Sequence, residues 1–183
     1  MERESKMAND ATVGTVLITG KEIATRAEEL GKKITKDYKG KELVLVGILR
    51  GAVMWMAELM KSINLEDLTI DFMAVSSYGA ATKSSGQVQI NKDLNSDIMG
   101  KDVIIVEDIV DTGVTLSYLR NYLKNREANS VEICSMLDKP ERREVNVPIK
   151  YKGFEVDNLF IVGYGLDYDQ KYRNLPYISF LNE

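Results

Sequence analysis

Short apolar runs alternate with helical patterns along this chain, and that alternation restricts the possible folds more than any other feature. The runs that read as strands lie at 42–49, 69–79, 101–109, 130–137 and 158–166, with an exposed, alternating strand at 87–94. The helical patterns lie between them, at 19–40, 52–63 and 114–128. Apolar strands that alternate with helices are typical of a parallel sheet covered on both faces. The sequence therefore predicts an α/β fold with a central parallel sheet flanked by helices.

Length and composition set the organisation of the chain. Its 183 residues suffice for one well-buried domain, predicted at 11–183, and are too few for two ordinary ones. Residues 1–10 are charged and lack an apolar core, which predicts a flexible tail and no secretory signal. A net charge of −4 gives no reason to expect affinity for nucleic acid or anionic membranes. No run approaches the roughly 20 apolar residues of a membrane span.

Two residue types restrict the chemistry. Cys134 is the only cysteine, which excludes an intramolecular disulfide and suits a reducing cytoplasm; within its strand-like run we expect a packed thiol. The chain has no histidine, so the usual zinc sites, the Ser-His-Asp triad and the Cys-His dyad are excluded. Acid–base chemistry must come from carboxylates, lysine, tyrosine or the single thiol.

Carboxylates gather where one apolar strand ends, in the segment IIVEDIVDTGVTLSYL. In open α/β sheets, ligands bind at the carboxyl ends of strands, next to helix N-termini. The turn Thr112–Thr115 offers backbone amides and hydroxyls that suit a phosphate. Glu107 and Asp108 suit ribose hydroxyls and a magnesium ion, which leaves Asp111 to face the reacting atom. The alternative is a solvated turn with a helix cap at Thr112.

Other families with similar short motifs fit less well. An aspartic protease needs paired carboxylates on an all-β scaffold, whereas this chain alternates strands and helices. A Walker loop needs a lysine after its last glycine, and Val114 stands there instead. A phosphoaspartyl phosphatase has its first two acids two positions apart, but Asp108 and Asp111 are three apart. A site for phosphate plus ribose is the best interpretation.

Five segments resemble one family. VIIVEDIVDTGVTL resembles the phosphoribosyl-pyrophosphate (PRPP) signature of the type I phosphoribosyltransferases. VGILRGAVMWMAEL, VSSYG and SMLDKP are similar to the pyrophosphate loop, the mobile catalytic loop and the purine-contacting lysine segment of the hypoxanthine-guanine phosphoribosyltransferases. YKGFEVDNLFIVGYGLDYDQKYRNLPYI resembles their base-binding hood. In order and spacing, these segments cover nearly the whole chain from about residue 12.

The resemblance implies a type I phosphoribosyltransferase fold with a small purine hood, formed largely by residues 139–183, and a mobile lid loop. It implies Mg²⁺-dependent purine salvage, in which hypoxanthine or guanine reacts with PRPP to give IMP or GMP plus pyrophosphate. The pyrophosphate loop of the family contains a non-proline cis peptide, which we expect near Arg50 and Gly51 of this chain.

The resemblance also implies roles for individual residues. The 5′-phosphate and ribose contacts fall on Glu107, Asp108, Asp111, Thr112, Gly113, Val114 and Thr115. The pyrophosphate contacts fall on Arg50, Gly51 and Arg173. The purine contacts fall on Lys139, Phe160, Ile161 and Asp167. The metal contacts, direct or through water, fall on Glu107, Asp108 and Asp167. The lid residues are Ser77 and Tyr78. Asp111 would be the base that accepts the purine N7 proton, and for Phe160 an ordinary core aromatic is the alternative.

Several functional alternatives remain open at this stage. A PRPP-sensing regulator that binds nucleic acid can be built on the same fold, although the acidic charge argues against it. Xanthine could be the preferred base. The resemblance further implies a homodimer or homotetramer. It also raises the possibility of inhibition by ppGpp, a guanine nucleotide whose phosphates could span the phosphate cradle and the pyrophosphate arginines.

Overall fold

A six-stranded sheet forms the centre of the protein, seen here in a computed structural model that describes residues 12–77 and 88–182. Its strands lie in the order β4–β3–β2–β5–β6–β7. Their bounds are β2 Leu43–Leu49, β3 Leu68–Ser77, β4 Val88–Lys92, β5 Asp102–Val110, β6 Ser130–Asp138 and β7 Tyr151–Glu155. All neighbours pair in parallel except β4, which runs antiparallel to β3 at the edge. The predicted α/β class is confirmed, while the predicted tail 1–10 lies outside the described residues.

Three helices cover the two faces of this sheet. They are α1 Gly20–Asp37, α2 Val53–Met60 and α3 Val114–Lys124. Helices α1 and α2 bury apolar residues such as Ile23 and Trp55 against one face, whereas α3 buries Leu119 against the other. A capping box between Thr19 and Glu22 fixes the start of α1. The two layers bury both faces of β2 and β5, as their continuous apolar runs predict.

The prediction of a long strand at 158–166 was wrong. Only β8, Ile161–Val162, is extended, and it pairs with β9, Ser179–Asn182, in a separate antiparallel sheet completed by β1, Thr12–Val13. The chain turns after β8 because Gly163, Tyr164 and Gly165 all have positive φ angles, of 97°, 47° and 104°. The edge position in the large sheet belongs instead to β7.

Helix α3 is shorter than the predicted 114–128. It ends at Lys124, and Glu127 adopts a φ of 60°, which a continuing helix cannot accommodate. None of the described helices has the length and apolar composition that a membrane crossing requires.

The topology brings three chain segments to one edge of the large sheet. Strands β2, β5 and β6 are parallel, so the loops that follow Leu49, Val110 and Asp138 leave the sheet on the same side. These loops contain six of the residues that the sequence analysis assigned to a ligand site, namely Arg50, Gly51, Asp111, Thr112, Gly113 and Lys139.

Close packing between α1 and the turn after α2 gives a test of the fold. A Cβ added at Gly31 would lie 2.5 Å from Ser62 Cβ and 2.6 Å from Ser62 O. Alanine in place of glycine ordinarily stabilises a helix by about 0.5–1 kcal/mol. Here we expect Gly31→Ala to lower the free energy of unfolding by about 1–3 kcal/mol, because the added methyl group overpacks this contact.

Urea unfolding measures this change, and Lys32→Ala on the exposed side of the same helix is the control. That substitution should change the free energy of unfolding by less than about 0.5 kcal/mol. If Gly31→Ala is more stable than the wild type, the close approach of Ser62 is absent in solution.

Candidate active site

The loop between β5 and α3 forms a small cavity. Gly113 is the N-cap of α3, with a φ of 84°, and no side chain caps the helix there. The alternative of an N-cap at Thr112 was wrong, because Gly113 is the N-cap; Thr112 precedes it, and its Oγ1 accepts a long hydrogen bond of 3.4 Å from the Val114 amide. Thr112, Gly113 and Thr115 line a cavity of about 220 Å³, which Glu107 and Asp111 also border. The helix N-terminus therefore faces a space of the size and polarity that a phosphate group needs.

Glu107 and Asp108 are two adjacent acids at the end of β5. Burial, together with the negative charge of Asp108, raises the pKa of Glu107 well above its ordinary value. Burial also raises the pKa of Asp108, although the nearby charge of Arg173 opposes this change. The two carboxylates thus lie where negative charge is unfavourable unless a cation or hydroxyl donors accompany it.

The loop after β2 packs directly against these acids. A side chain at Gly51 would overlap the Asp108 carboxylate, so only glycine permits this close approach. The peptide bond between Leu49 and Arg50 is cis, which confirms the expected non-proline cis peptide in this loop. Gly165 lies against the same loop, since a Cβ there would overlap the Gly51 carbonyl oxygen.

The two arginines assigned to pyrophosphate meet through a residue that the sequence analysis missed. Arg50 Nη1 donates to Gln170 Oε1 at 2.8 Å, and Arg173 Nη2 lies 3.4 Å from the same oxygen. Arg173 also pairs with Asp167 Oδ1 at 2.7 Å and donates to Gly165 O at 2.7 Å. No sequence motif marked Gln170, which reaches this position through a backbone φ of 64°.

Asp167, assigned to the metal, is held by the protein itself. Its Oδ2 accepts a hydrogen bond from the Gln170 amide at 2.8 Å, and its Oδ1 pairs with Arg173. Within residues 12–77 and 88–182, no three acidic, cysteine or histidine side chains are grouped so that they could hold a metal ion by themselves. A metal at this site would therefore need oxygen ligands from elsewhere as well.

A second, larger cavity of about 430 Å³ adjoins the first. The residues assigned to the purine all border it: Lys139, Phe160, Ile161 and Asp167. Asp111 and Ile109 border both cavities. Asp111 Oδ1 is buried and lies 2.9 Å from Arg142 Nε, yet no described group directs a hydrogen bond at it. The carboxylate of Asp111 thus stands between a phosphate-sized space and a larger pocket.

In the larger cavity, Lys139 is buried whereas Phe160 is exposed. Lys139 is only 7% exposed, and its Nζ donates to Leu159 O at 2.5 Å. Burial lowers the pKa of Lys139, while the charge of Asp111 opposes that change. Phe160 is 53% exposed and meets Tyr168 edge-to-face at 5.5 Å, so the core-aromatic alternative was wrong. Its ring offers an apolar face for stacking, next to a buried cationic donor.

Residues 142–145 form a further contact segment that the sequence analysis missed. Arg142 pairs with the Asp111 carboxylate, and Arg143 Nε donates to the Asp111 carbonyl at 3.1 Å. The only signal in the sequence is a pair of arginines shortly after Lys139. Of the lid residues, Ser77 is the last residue of β3, and Tyr78 lies outside the described residues.

Comparison with known proteins places this geometry in context. A model of the phosphoribosyl transferase domain matches residues 16–169. A hypoxanthine-guanine phosphoribosyltransferase of Streptococcus thermophilus is 53% identical over 168 residues, which cover 92% of this chain and 93% of that protein.

Solved structures agree with the sequence relatives. A hypoxanthine phosphoribosyltransferase from Staphylococcus aureus superimposes with a TM-score of 0.89 at 51% identity, covering 99% of this chain and 97% of that one. A hypoxanthine-guanine phosphoribosyltransferase from Bacillus anthracis also gives a TM-score of 0.89, at 40% identity, covering 93% of this chain and 100% of that one.

The burial of Glu107 predicts a stability that depends on pH. Because its pKa in the folded state is raised, the folded protein binds this proton more tightly than the unfolded chain does. The free energy of unfolding therefore falls as pH rises above the ordinary glutamate value. Glu107→Gln removes the charge, so we expect its melting temperature to exceed the wild-type value by about 2–8 °C at pH 8. This difference should shrink toward pH 4.

Thermal melts in the presence of a chelator measure both proteins at each pH. Glu66→Gln, the same change at an exposed position, should leave the melting temperature within about 1 °C of the wild type. A Glu107→Gln difference that stays constant from pH 4 to pH 8 would contradict the burial argument.

Proposed function

The chain belongs to the phosphoribosyl transferase family, and from this premise we infer that it transfers the 5-phosphoribosyl group of PRPP to hypoxanthine or guanine. The products are IMP or GMP and pyrophosphate, so the protein is a transferase of purine salvage with a type I phosphoribosyltransferase fold. The observation that carries this inference is the position of Asp111, which borders both the phosphate-sized cavity and the larger pocket. The reacting atoms of a ribose phosphate and a purine have to meet between two such spaces.

The order of the groups along the cleft fits the parts of PRPP. The 5′-phosphate would lie at Thr112–Thr115, where the amides of the α3 N-terminus favour negative charge. Glu107 and Asp108 would accept hydrogen bonds from the ribose hydroxyls. Arg50 and Arg173, joined through Gln170, would bind the pyrophosphate.

The transfer itself needs a base next to the purine. Purine N9 forms a bond to C1′ of the ribose while the bond from C1′ to the pyrophosphate oxygen breaks, and its electron pair leaves with pyrophosphate. The proton on N7 would pass to Asp111 Oδ2, because the side chain is 40% exposed whereas Oδ1 is covered and lies 2.9 Å from Arg142 Nε. General-base help of this kind is worth roughly 10²–10⁴ in rate.

The acids at the end of β5 also suit a divalent cation. Their oxygens are hard ligands, and burial raises the pKa of both carboxyl groups, so a cation would favour their charged forms. Mg²⁺ is commonly bound by one or two carboxylates together with oxygens of its substrate, and Glu107 and Asp108 are two adjacent carboxylates of this kind. Glu107, Asp108 and Asp167 would hold Mg²⁺, directly or through water. When bound, Mg²⁺ neutralises charge on the departing pyrophosphate.

The base pocket would select purines by the group at position 6. Lys139 is buried, cationic and able only to donate, so it would pair with the O6 of hypoxanthine or guanine. Adenine presents an amino donor at that position, and two donors would then face each other. Phe160 would stack on the ring, while backbone carbonyls of Ile161 and Asp167 would accept from the amino group of guanine.

Incubation with PRPP, Mg²⁺ and one base at a time tests the function. GMP and IMP should form from guanine and hypoxanthine, while adenine should react slower by orders of magnitude. An excess of chelator should abolish turnover, and the rate with xanthine decides its rank. Absence of GMP together with tight RNA binding would favour a PRPP-sensing regulator instead. Comparable rates with adenine would remove the role of Lys139.

Inhibition by ppGpp is a second expected outcome. Its 5′-phosphates would bind at Thr112–Thr115, its 3′-phosphates near Arg50 and Arg173, and its guanine in the larger cavity. Because PRPP needs the same cradle, initial rates at several PRPP concentrations should show competitive inhibition. A maximal rate that falls while the KM for PRPP stays constant would reject the shared site.

Two further properties stay predictions. A homodimer or homotetramer follows from the resemblance alone. A cytoplasmic location rests on the single, buried thiol of Cys134, which suits a reducing compartment.

A further inference from the structure

We propose that Arg142 and Arg143 are positioning residues for Asp111, Arg143 acting through the Asp111 backbone and Arg142 through its carboxylate. This inference rests on the proposed function, because it concerns the residue that would accept the purine N7 proton. In this assignment Arg143 contacts only the Asp111 backbone, and Arg142 contacts only the carboxylate oxygen Oδ1, which does not face the purine.

Arg143 links the end of β6 to the loop after β5. Its Nη2 pairs with the carboxylate of Asp138, and its Nε donates to the Asp111 carbonyl at 3.1 Å. Asp138 is only 3% exposed, and Lys152 Nζ pairs with its other oxygen at 2.5 Å. A buried carboxylate with two cationic partners is a rigid anchor, because each partner fixes one of its two oxygens.

The backbone after Arg143 holds the same loop. The amides of Glu144 and Val145 donate to the Thr112 carbonyl at 2.9 and 3.0 Å. A Cβ added at Gly113 would lie 2.5 Å from Val145 O and 3.0 Å from Arg143 Cδ, so the two segments are closely packed. Residues 143–145 therefore donate hydrogen bonds to the carbonyl groups of both Asp111 and Thr112.

Arg142 extends this contact to the side chain. Its Nε lies 2.9 Å from Asp111 Oδ1, and the guanidinium borders the larger cavity together with Lys139. Lys139 directly follows Asp138, to which Arg143 is anchored. The segment thus fixes the base, Asp111, relative to Lys139, the donor that would orient the purine. A small displacement between such groups can cost a large factor in rate.

A double-mutant cycle separates positioning from a merely structural role. Arg143→Lys keeps the charge but loses the fork that reaches Asp138 and Asp111 together. We expect it to lower kcat for GMP formation roughly 10- to 100-fold in the wild-type background. In an Asp111→Asn background the same change should lower kcat less than about threefold, because the base it positions is already gone.

Two matched controls exist elsewhere in the chain. Arg120 Nε donates to Val131 O at 3.1 Å, so Arg120→Lys is the control for Arg143→Lys. Arg126 Nη1 lies 2.9 Å from Asp93 Oδ1, so Arg126→Gln is the control for Arg142→Gln. Each control should give the same small change in both backgrounds. Arg142→Gln should instead show the same dependence on Asp111 as Arg143→Lys, with a smaller loss of roughly three- to tenfold.

Equal losses of kcat in both backgrounds would overturn the proposal. If Arg143→Lys does not fold, judged by circular dichroism and thermal melting, the Arg142→Gln cycle decides alone. Amide hydrogen exchange across residues 111–116 gives a readout without turnover. The exchange rate of these amides should be higher in Arg143→Lys than in the wild type, and unchanged in Arg120→Lys. A wild-type protein that forms no GMP refutes the function, whereas unchanged exchange refutes the positioning.

Discussion

The parallel pairing of β2 with β5 is the contact on which the site depends. The register Gly47↔Val106 places the ends of these two central strands side by side. As a result, the loop at Gly51 meets the carboxylate of Asp108, although 57 positions separate them in the sequence. Both strands are buried on both faces, so a slip of this register would disturb two apolar layers at once. The core therefore fixes the distance between the groups assigned to pyrophosphate and to ribose.

A second constraint lies in the loop that follows β8. Tyr164, Asp169, Gln170 and Tyr172 all have positive φ angles, between 47° and 73°, which side chains other than glycine rarely adopt. Such conformations persist only where the surrounding structure determines them, and they cluster at ligand sites. Here they fold the chain back, so that Gln170 contacts both Arg50 and Arg173. The unfavourable backbone conformations of this loop thus help to position the guanidinium of Arg173.

The sequence predicted the features that depend on hydrophobic periodicity or on residues adjacent in the chain. Five strands of the large sheet follow from apolar or alternating runs, whereas β7 was not predicted. Glu107, Asp108 and Asp111 meet because they are neighbours in the chain. It did not predict the early end of β8, since the hydrophobic pattern of 158–166 does not reveal the positive φ angles at Gly163, Tyr164 and Gly165. Gln170 and Arg143 were missed for a related reason: their partners lie 120 and 32 residues away, and no local pattern records such contacts.

The acidic and the basic side chains of the site differ in how many partners they have within the protein. The acids at Glu107 and Asp108 have few internal partners, so their charge is costly until hydroxyl groups or a cation arrive. The arginines, in contrast, already have partners, because Gln170 and Asp167 occupy them. A pyrophosphate that binds Arg50 has to compete only with a neutral amide oxygen, and a dianion wins that exchange. Arg50 is thereby oriented in advance without being neutralised, whereas Arg173 is paired with the Asp167 carboxylate. The acids would gain binding energy when a ligand relieves their mutual repulsion. With the roles proposed above, binding energy would be concentrated at the two ends of the bond that breaks, where stronger binding of the transition state accelerates transfer.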